Sequence, residues 1–500
     1  MLPRNRGLFL VGLATVCLLT ALFSVGCLPS ASNRPDASIL TQRLDALIPA
    51  RMRATGTPGV AVALIHGGEV VWSKGYGVAD LSSGKPVTPD SVFGVASISK
   101  TATAWGVMKL VESGRVDLDA PVEDYLTRWR VPGDDGGQVT IRRLLSHSAG
   151  LNTPEYLGRL PGETLPRIED VLTFGSGKAG GVRLERTPGS RFAYSDGGYL
   201  ILQLLIEEVS GEDFSQYMQR EILTPLGMSA SSFQWRPDIQ SQIVTSYSET
   251  GKPFPHYLFI EKAPAGLYTT APDLARLVAA GMKGSDGQPP GRGILQPATV
   301  EQMMTPAIEI RGFERLIYAQ GYGLGYFIET LPDGRRLVSH MGGNLNGVTE
   351  FAAIPASGEG IIVLTTSIAG HELFADVLHA WTDWLGSGDV TLPRAIRFAR
   401  RVLFSAAAVF GLVAALILIR LAAALRRRKR VWGLPDNRLA WLRKTLAAGL
   451  LMTGVLLFVG VVYPYLHISM PSAALLFTTN GVGLCLAALS WQFTKARSTS

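Results

Sequence analysis

The segment GVASISKTATAWGVMKLVESGRVDLDAPV, Gly94–Val122, places a hydroxyl and an amine three residues apart among mostly small and apolar side chains. Ser97 and Lys100 open a helical pattern. Residues at i and i+3 share a helix face, so the amine comes near hydrogen-bonding reach of the hydroxyl. Backbone N–H groups at a helix start attract negative charge, and a buried lysine with a lowered pKa can act as a base. The spacing indicates a nucleophile and its base; the alternative is an N-cap followed by a solvated lysine.

A second Ser-x-x-Lys occurs in DLSSGKPVTPD, Asp80–Asp90, where the serine is Ser82 and the lysine is Lys85. The glycine between them and the proline that follows are typical of a turn. No helix would then fix the distance between the hydroxyl and the amine. The sequence therefore favours Ser97 and Lys100 as the reactive pair.

The remaining pattern up to about residue 390 predicts an α+β fold. A helical pattern at Ser38–Ala54 precedes two strands within Gly59–Asp80, joined at a Gly-Gly hairpin. Mostly helical patterns follow, then late strands and a terminal helix. The late strands are Tyr322–Thr330, Arg335–Gly343, Val348–Pro355 and Glu359–Ser367, and the terminal helix is Glu372–Leu385. This order predicts an antiparallel sheet flanked by the terminal helices, with an inserted helical subdomain and a cleft between the two parts.

Two further stretches carry polar residues at the ends of predicted elements. Thr187–Gly211 places Tyr194 and Asp196 just before an apolar helix, and Leu337–Pro355 places His340 at the end of a strand. Each has an ordinary structural explanation: Tyr194 as core packing, Asp196 as an N-cap, His340 as a solvated strand end. Together with Ser97 and Lys100, however, they give the order Ser-x-x-Lys, Tyr-x-Asp, His-x-Gly.

That order resembles the serine β-lactamase-related hydrolases, nearest the class C β-lactamase, D,D-carboxypeptidase and esterase branch. The resemblance covers about residues 38–386 and implies a hydrolase domain at residues 28–390. Four more stretches share it: TIRRLLSHSAGL (Thr140–Leu151), TPGSRFAYSDGGY (Thr187–Tyr199), PAGLYTTAPDLARL (Pro264–Leu277) and YGLGYFI (Tyr322–Ile328).

By this resemblance, Ser97 is expected to be the acylated nucleophile, and Lys100 and Tyr194 the pair that transfers protons to and from it. The backbone N–H groups of Ser97 and Gly343 are expected to form the oxyanion hole, which favours glycine for close approach. The resemblance implies no cofactor and no metal.

Two positions depart from the commonest family pattern. His340 stands where many relatives have lysine, and is expected to complete the electrostatic environment facing Tyr194 and the substrate. Asp196 stands where the commonest residue is asparagine. Its carboxylate can orient Lys100 but cannot donate a hydrogen bond to a substrate amide carbonyl. Both departures argue against efficient β-lactam hydrolysis and leave acyl transfer intact.

Apolar segments at both ends predict a membrane protein. Residues 1–27 contain Arg4, Arg6 and a long apolar run, which reads as a cleaved signal or an anchor. Within residues 1–27, Cys27 is either a lipidation site or a small apolar residue. Residues 391–500 contain three predicted transmembrane spans, at about 402–425, 446–462 and 473–489.

Charge predicts the topology of these spans. Eight Lys/Arg lie between the first two spans, which places that loop in the cytoplasm and the large domain outside, in the periplasm or extracellular space. Four arginines just before the first span, Arg394, Arg397, Arg400 and Arg401, count against this orientation but are outnumbered.

Composition excludes other classes of function. The chain from Arg394 onward carries a net charge of +14 and the remainder carries −7, so the globular part does not resemble a nucleic-acid-binding surface. The three cysteines, at positions 17, 27 and 485, lie in or beside apolar segments, which excludes a cysteine nucleophile from the globular part. The expected partners are the membrane and a small-molecule, peptide or ester substrate.

Two hypotheses remain at this point. The first is a membrane-anchored extracytoplasmic serine hydrolase that forms an acyl-enzyme from an ester, a D-amino-acid amide or a cell-wall peptide. The second is a penicillin-binding-type sensor or scaffold without turnover, coupled to the membrane helices.

Overall fold

A nine-stranded antiparallel sheet lies at the centre of the protein, whose structure is a computed structural model. The structure describes residues 36–133, 135–154, 158–177, 180–248, 250–312, 314–344, 347–427, 430–432, 478–487 and 494–496. The strands of this sheet are β1 Gly59–His66, β2 Glu69–Asp80, β3 Lys85–Pro86, β6 Ile308–Glu309, β7 Gly321–Tyr322, β8 Phe327–Thr330, β9 Arg336–Asn344, β10 Gly347–Ile354 and β11 Glu359–Thr365. The strand order is β3-β2-β1-β11-β10-β9-β8-β7-β6.

Two small ladders stand apart from this sheet: β4 Phe93–Gly94 pairs with β5 Tyr268–Thr269, and β12 Arg430–Trp432 pairs with β13 Thr494–Ala496. The α-helices are α1 Ala37–Thr55, α2 Ser99–Glu112, α3 Ile141–Leu145, α4 Ile168–Phe174, α5 Asp196–Ser210, α6 Phe214–Met218, α7 Pro237–Gln240, α8 Lys262–Ala265, α9 Ala271–Ala280, α10 Pro297–Met303, α11 Glu314–Ile317, α12 His371–Trp384 and α13 Thr391–Arg426. The 3₁₀ turns are Ala96–Ile98, Val122–Asp124, Gly136–Gln138 and Ile368–Gly370, and a π-helical turn is Gln219–Leu223.

Helices cover both faces of the sheet. One face packs on the terminal helices α1 and α12, and the other packs on the inserted helices, chiefly α2, α5 and α9. The central strands β1, β10 and β11 are buried along nearly their whole length, because side chains on both faces are covered. The predicted α+β fold, with a sheet flanked by terminal helices and an inserted helical region, is confirmed.

The prediction of three transmembrane helices is not supported by the described residues. They contain one helix that is long and apolar enough to span a membrane, α13. The second predicted span, 446–462, lies outside the described residues. Of the third span only 478–487 is described, as helix. Residues 1–27, with Cys27, also lie outside the described residues.

The Ser97 segment forms two consecutive kinds of helix. Ser97 lies in the 3₁₀ turn Ala96–Ile98, and α2 begins at Ser99, so the α-helix starts two residues later than the spacing predicts. Ala96 has a φ of 47°, a strained value for a residue with a Cβ. The turn is held against β9 at Gly342, where an added Cβ would lie 2.2 Å from the Val95 carbonyl oxygen and 3.1 Å from the Ser97 nitrogen. Only glycine fits this contact.

We expect Gly342→Ala to lower the free energy of unfolding by about 1–3 kcal/mol, because the methyl group must push the Ser97 turn away from β9. Gly343→Ala is the matched control, since an added Cβ at Gly343 meets nothing within 4 Å. Denaturant unfolding of the two variants checks the prediction. Equal stability of the two variants would contradict it.

Candidate active site

Lys100 is the centre of a buried polar cluster. Its side chain has no exposed surface, whereas Ser97, in the 3₁₀ turn just before α2, is partly exposed. Lys100 Nζ lies 3.0 Å from Ser97 Oγ and 2.9 Å from the Pro264 carbonyl oxygen, and 2.5 Å from Asp196 Oδ1. Burial lowers the pKa of Lys100, and the Asp196 carboxylate opposes that shift. The predicted hydroxyl–amine pair therefore exists in the structure, with an acidic partner beside it.

Tyr194 also lies close to the Lys100 amine. Lys100 Nζ is 5.0 Å from the centre of the Tyr194 ring. Burial raises the pKa of the Tyr194 phenol well above its ordinary value, Asp196 raises it further, and a hydrogen bond with the Ser97 side chain acts in the opposite direction. The phenol is thus neutral at physiological pH and lies beside the hydroxyl it is predicted to serve.

Ser195 fixes the residues on either side of it. Its hydroxyl caps helix α5 by accepting from the Gly198 N–H at 3.1 Å, and it donates to the Asn152 carbonyl oxygen at 2.5 Å. Tyr194 and Asp196 both reach Lys100 from this anchored turn. The N-cap of α5 is therefore Ser195, and Asp196 is left free to pair with the lysine.

Gly343 lies near the end of β9, beyond Ser339, the last residue of β9 that pairs with β8. Val348 on β10 lies opposite Gly343. Its N–H donates to the Thr365 hydroxyl on β11, and its carbonyl oxygen accepts a hydrogen bond from the same hydroxyl. The pair is therefore a non-hydrogen-bonded one, and the Gly343 N–H is directed away from β10. This geometry fits the predicted oxyanion donor, while the role itself stays a prediction.

His340 lies behind the site and not at its surface. Its ring is fully buried; Nε2 lies 3.0 Å from the Tyr322 hydroxyl and Nδ1 lies 2.8 Å from the Met341 carbonyl oxygen. Because a carbonyl only accepts, Nδ1 carries the proton and the phenol donates to Nε2. Burial, with Lys100 nearby, lowers the pKa of His340 to about 3. Both ring nitrogens are already bonded within the protein, and the expected part of His340 in the electrostatic environment facing Tyr194 and the substrate stays a prediction.

His147 is a site residue for which the sequence predicts no role. Its ring centre lies 4.2 Å from that of Tyr194, and its Nδ1 accepts the Ser195 N–H at 3.1 Å. Its backbone carbonyl accepts the Ala193 N–H at 2.7 Å. Burial and the nearby Lys100 hold the pKa of His147 well below its ordinary value, so the ring is neutral. The only signal in the sequence was its place in the family stretch Thr140–Leu151.

The second Ser-x-x-Lys is not a comparable pair. Its lysine, Lys85, donates to the Ser241 carbonyl oxygen at 2.7 Å, and the Ser82 hydroxyl donates to Asp80 Oδ1 at 2.5 Å. Among the residues that the structure describes, no group of three or more His, Cys, Asp or Glu side chains is placed to hold a metal ion. The arrangement is suited to acyl transfer, with a nucleophile, a buried amine, a neutral phenol and backbone donors together.

We expect Asp196→Asn to shift the acidic limb of the pH–rate profile for Ser97 acylation to lower pH by about one to three pH units. The carboxylate raises the pKa of Lys100 against burial, so its removal lowers that pKa and the amine becomes neutral at lower pH. Rates of fluorophosphonate labelling across pH measure this. A shift to higher pH, or none, would show that Asp196 does not govern the charge of Lys100.

Known proteins that resemble this chain include penicillin-binding proteins and an esterase. The chain matches the Beta-lactamase family over residues 44–380, more than half of its length. It is 25% identical over 331 residues to the putative penicillin-binding protein PbpX of Bacillus subtilis, covering 65% of this chain and 74% of the relative. It is 30% identical over 209 residues to the esterase EstB of Burkholderia gladioli, covering 40% of this chain and 53% of the relative.

Solved structures agree with these matches. The octameric penicillin-binding protein homologue from Pyrococcus abyssi superposes with a TM-score of 0.60 at 28% identity, covering 73% of this chain and 81% of that one. The match covers 74% of the length of PbpX and 53% of the length of EstB. The activities of these two relatives are therefore not assigned to this chain. The matched residues include Ser97, Lys100, Tyr194 and His340, and the chain belongs to the beta-lactamase family of serine hydrolases.

Proposed function

We propose that this protein is a membrane-anchored serine hydrolase that forms an acyl-enzyme on Ser97. The observation that carries the proposal is the buried Lys100 amine, which contacts Ser97, Asp196 and the Pro264 carbonyl oxygen at once. A neutral amine has two N–H donors and one lone pair. It can therefore donate to Pro264 and Asp196 while its lone pair accepts the Ser97 proton. The lowered pKa of Lys100 favours that neutral form.

The reaction follows from these positions. Lys100 accepts the proton of the Ser97 hydroxyl as Oγ attacks the substrate carbonyl carbon, and the resulting oxyanion is bound by the N–H groups of Ser97 and Gly343. Tyr194 and Lys100 pass a proton to the leaving group as its bond to the carbonyl carbon breaks. A water molecule, activated by the same pair, then attacks the acyl-enzyme and releases the acid.

The substrate range is narrowed by two residues. His340 is neutral and buried, so it offers no positive charge for the carboxylate that β-lactams and D-Ala-D-Ala ends carry. Asp196 has no N–H with which to bind a substrate amide carbonyl. We therefore place esters and uncharged amides ahead of β-lactams among the candidate substrates.

Helix α13 supports the membrane anchor. It contains 36 residues, about 54 Å at 1.5 Å per residue, which exceeds a hydrocarbon core of about 30 Å. Its outer part exposes apolar side chains, namely Val402, Phe404, Val409, Leu412, Leu416, Leu418 and Ile419.

The first three turns of α13 belong to the globular domain instead. Arg397 forms two contacts with Asp389, at 2.7 and 2.9 Å, and Arg400 forms two with Asp376, at 2.7 and 2.8 Å. These two arginines were counted against an extracytoplasmic domain, and the structure supplies another reason for their presence.

The test is covalent labelling of the full chain with a fluorophosphonate, followed by intact-mass measurement and hydrolysis of a small ester. We expect one adduct on the wild type and complete loss of adduct and hydrolysis in Ser97→Ala, because the nucleophile is gone. Ser82→Ala is the matched control from the second Ser-x-x-Lys and keeps both.

An adduct that persists in Ser97→Ala would overturn the assignment of the nucleophile. A Ser97-dependent adduct without turnover of any ester would favour the sensor hypothesis over the hydrolase.

A further inference from the structure

The direction of the strands fixes where the candidate active site lies along the sheet. Strands β9 and β11 both pair antiparallel with β10, so they run parallel to each other and end at the same end of the sheet. Gly342, against the Ser97 turn, is level with Thr349 and Leu364. We name this end, which holds the last residues of β9 and β11, the active-site end.

Helices α12 and α13 form an antiparallel pair along the same sheet. Helix α12 starts six residues after β11 ends and runs back to the opposite end, where the Leu385 carbonyl oxygen accepts from Arg335 at 3.1 Å. Helix α13 starts there, with the Thr391 N–H donating to Glu329 at 2.9 Å. It then returns, and Arg400 pairs with Asp376 in the early part of α12. The apolar part of α13 therefore leaves the domain at the active-site end.

The lengths agree with this arrangement. Glu329 pairs with Leu337 on β9, and the six residues from Leu337 to Gly343 advance about 20 Å along the strand. Helix α13 covers the same rise in about 13 residues, which ends near Phe404. The exposed apolar side chains of α13 begin with Phe398, six residues before that level, and continue with Val402 and Phe404. A bilayer spanned by α13 would thus begin close to the level of the active site.

A cavity of about 220 Å³ with a mostly apolar wall lies beside the segment that leads into the Ser97 turn. Gly94 lines it, three residues before Ser97, and so do Ala265 and Gly266, which follow the Pro264 carbonyl that holds Lys100. Apart from Gln234 and Lys262, the remaining wall is aromatic and aliphatic: Leu165, Phe233, Trp235, Leu258, Phe259 and Tyr268. The Trp235 and Tyr268 rings meet edge to face, with centres 5.4 Å apart. Such a wall is suited to an apolar group. Its one positively charged residue, Lys262, already pairs with Asp213 and is not available to a substrate carboxylate.

We propose, resting on the hydrolase and membrane anchor proposed above, that the substrate is a carboxylic ester carried by the bilayer, whose apolar acyl chain enters this cavity. In the transfer, the Ser97 Oγ–carbonyl carbon bond forms and the ester C–O bond breaks. The departing alcohol takes the proton relayed from Ser97, and water later releases the fatty acid. The acyl chain stays in the aromatic cavity while it is attached to Ser97, which holds the intermediate in place.

Chain length tests the cavity. Full-length protein in detergent is assayed with p-nitrophenyl acetate and p-nitrophenyl octanoate. We expect kcat/KM for the octanoate to exceed that for the acetate by at least about tenfold, because the additional CH₂ groups of the octanoyl chain leave water on entering the cavity. Trp235→Ala should reduce that ratio several-fold, whereas Leu81→Ala, an exposed leucine on the β2–β3 turn, should keep it.

The outcomes separate this inference from the function on which it rests. Ser97-dependent hydrolysis of acetate with a ratio near one, or a ratio that Trp235→Ala does not change, overturns the lipid-ester inference and leaves the hydrolase standing. Failure to hydrolyse either ester, with no adduct on Ser97, removes the hydrolase itself.

Energy transfer to the bilayer tests the orientation independently. A donor dye is attached at Lys252→Cys or Ala356→Cys in full chains whose three native cysteines are replaced by serine, reconstituted in phosphatidylcholine vesicles that contain an acceptor lipid. Both positions are exposed. Lys252 lies in the turn beside Tyr247, which is bridged to Ser367 at the active-site end, whereas Ala356 lies in the β10–β11 turn at the opposite end. We expect stronger transfer from position 252. Equal transfer, or stronger transfer from 356, overturns the membrane-facing site.

Discussion

The burial of the Lys100 amine is the constraint on which the rest of the site depends. Moving an ammonium group out of water costs several kcal/mol, so the fold must either supply partners or leave the amine neutral. This protein does both in part: Asp196 and the Pro264 carbonyl contact the nitrogen, and burial still lowers its pKa. A lysine in that balance loses its proton more readily than an exposed lysine, which is what a base for a serine hydroxyl requires.

The partners of Lys100 come from parts of the chain that only the folded domain brings together. Asp196 and Tyr194 flank the capping Ser195 at the start of α5, and Pro264 lies in α8, more than sixty residues later in the chain. His147 supports the same turn from behind, through the Ser195 N–H and the face of the Tyr194 ring. The helical subdomain therefore surrounds the Lys100 amine with its partners, and the sheet contributes Gly342 and Gly343 at the end of β9.

Local features of this site were predictable from the sequence, and long-range ones were not. Ser97 and Lys100 could be paired because three residues along a helix fix their distance. Tyr194 and Asp196 could be added from the order of motifs. His147 was missed because it acts through contacts with Tyr194 and Ser195, which are distant from it in the sequence. His340 was placed on the correct strand, but no pattern in the sequence shows that the Tyr322 hydroxyl covers its ring. The sheet and terminal helices were predicted correctly because their patterns are long and periodic.

The same sheet that positions the nucleophile also positions the apolar helix. Glu329 on β8 accepts the first N–H of α13, so the helix starts at a fixed point. Arg397 pairs with Asp389 in the preceding loop, and Arg400 pairs with Asp376 and holds the first turns of α13 antiparallel to α12. A flexible linker between domain and anchor would leave the direction of the active site free. Here the direction is set by hydrogen bonds and paired charges that are partly buried, and such pairs resist screening by salt better than exposed ones. The proposed anchor is therefore part of the same architecture as the site, and in a bilayer it would set the direction from which a substrate reaches Ser97.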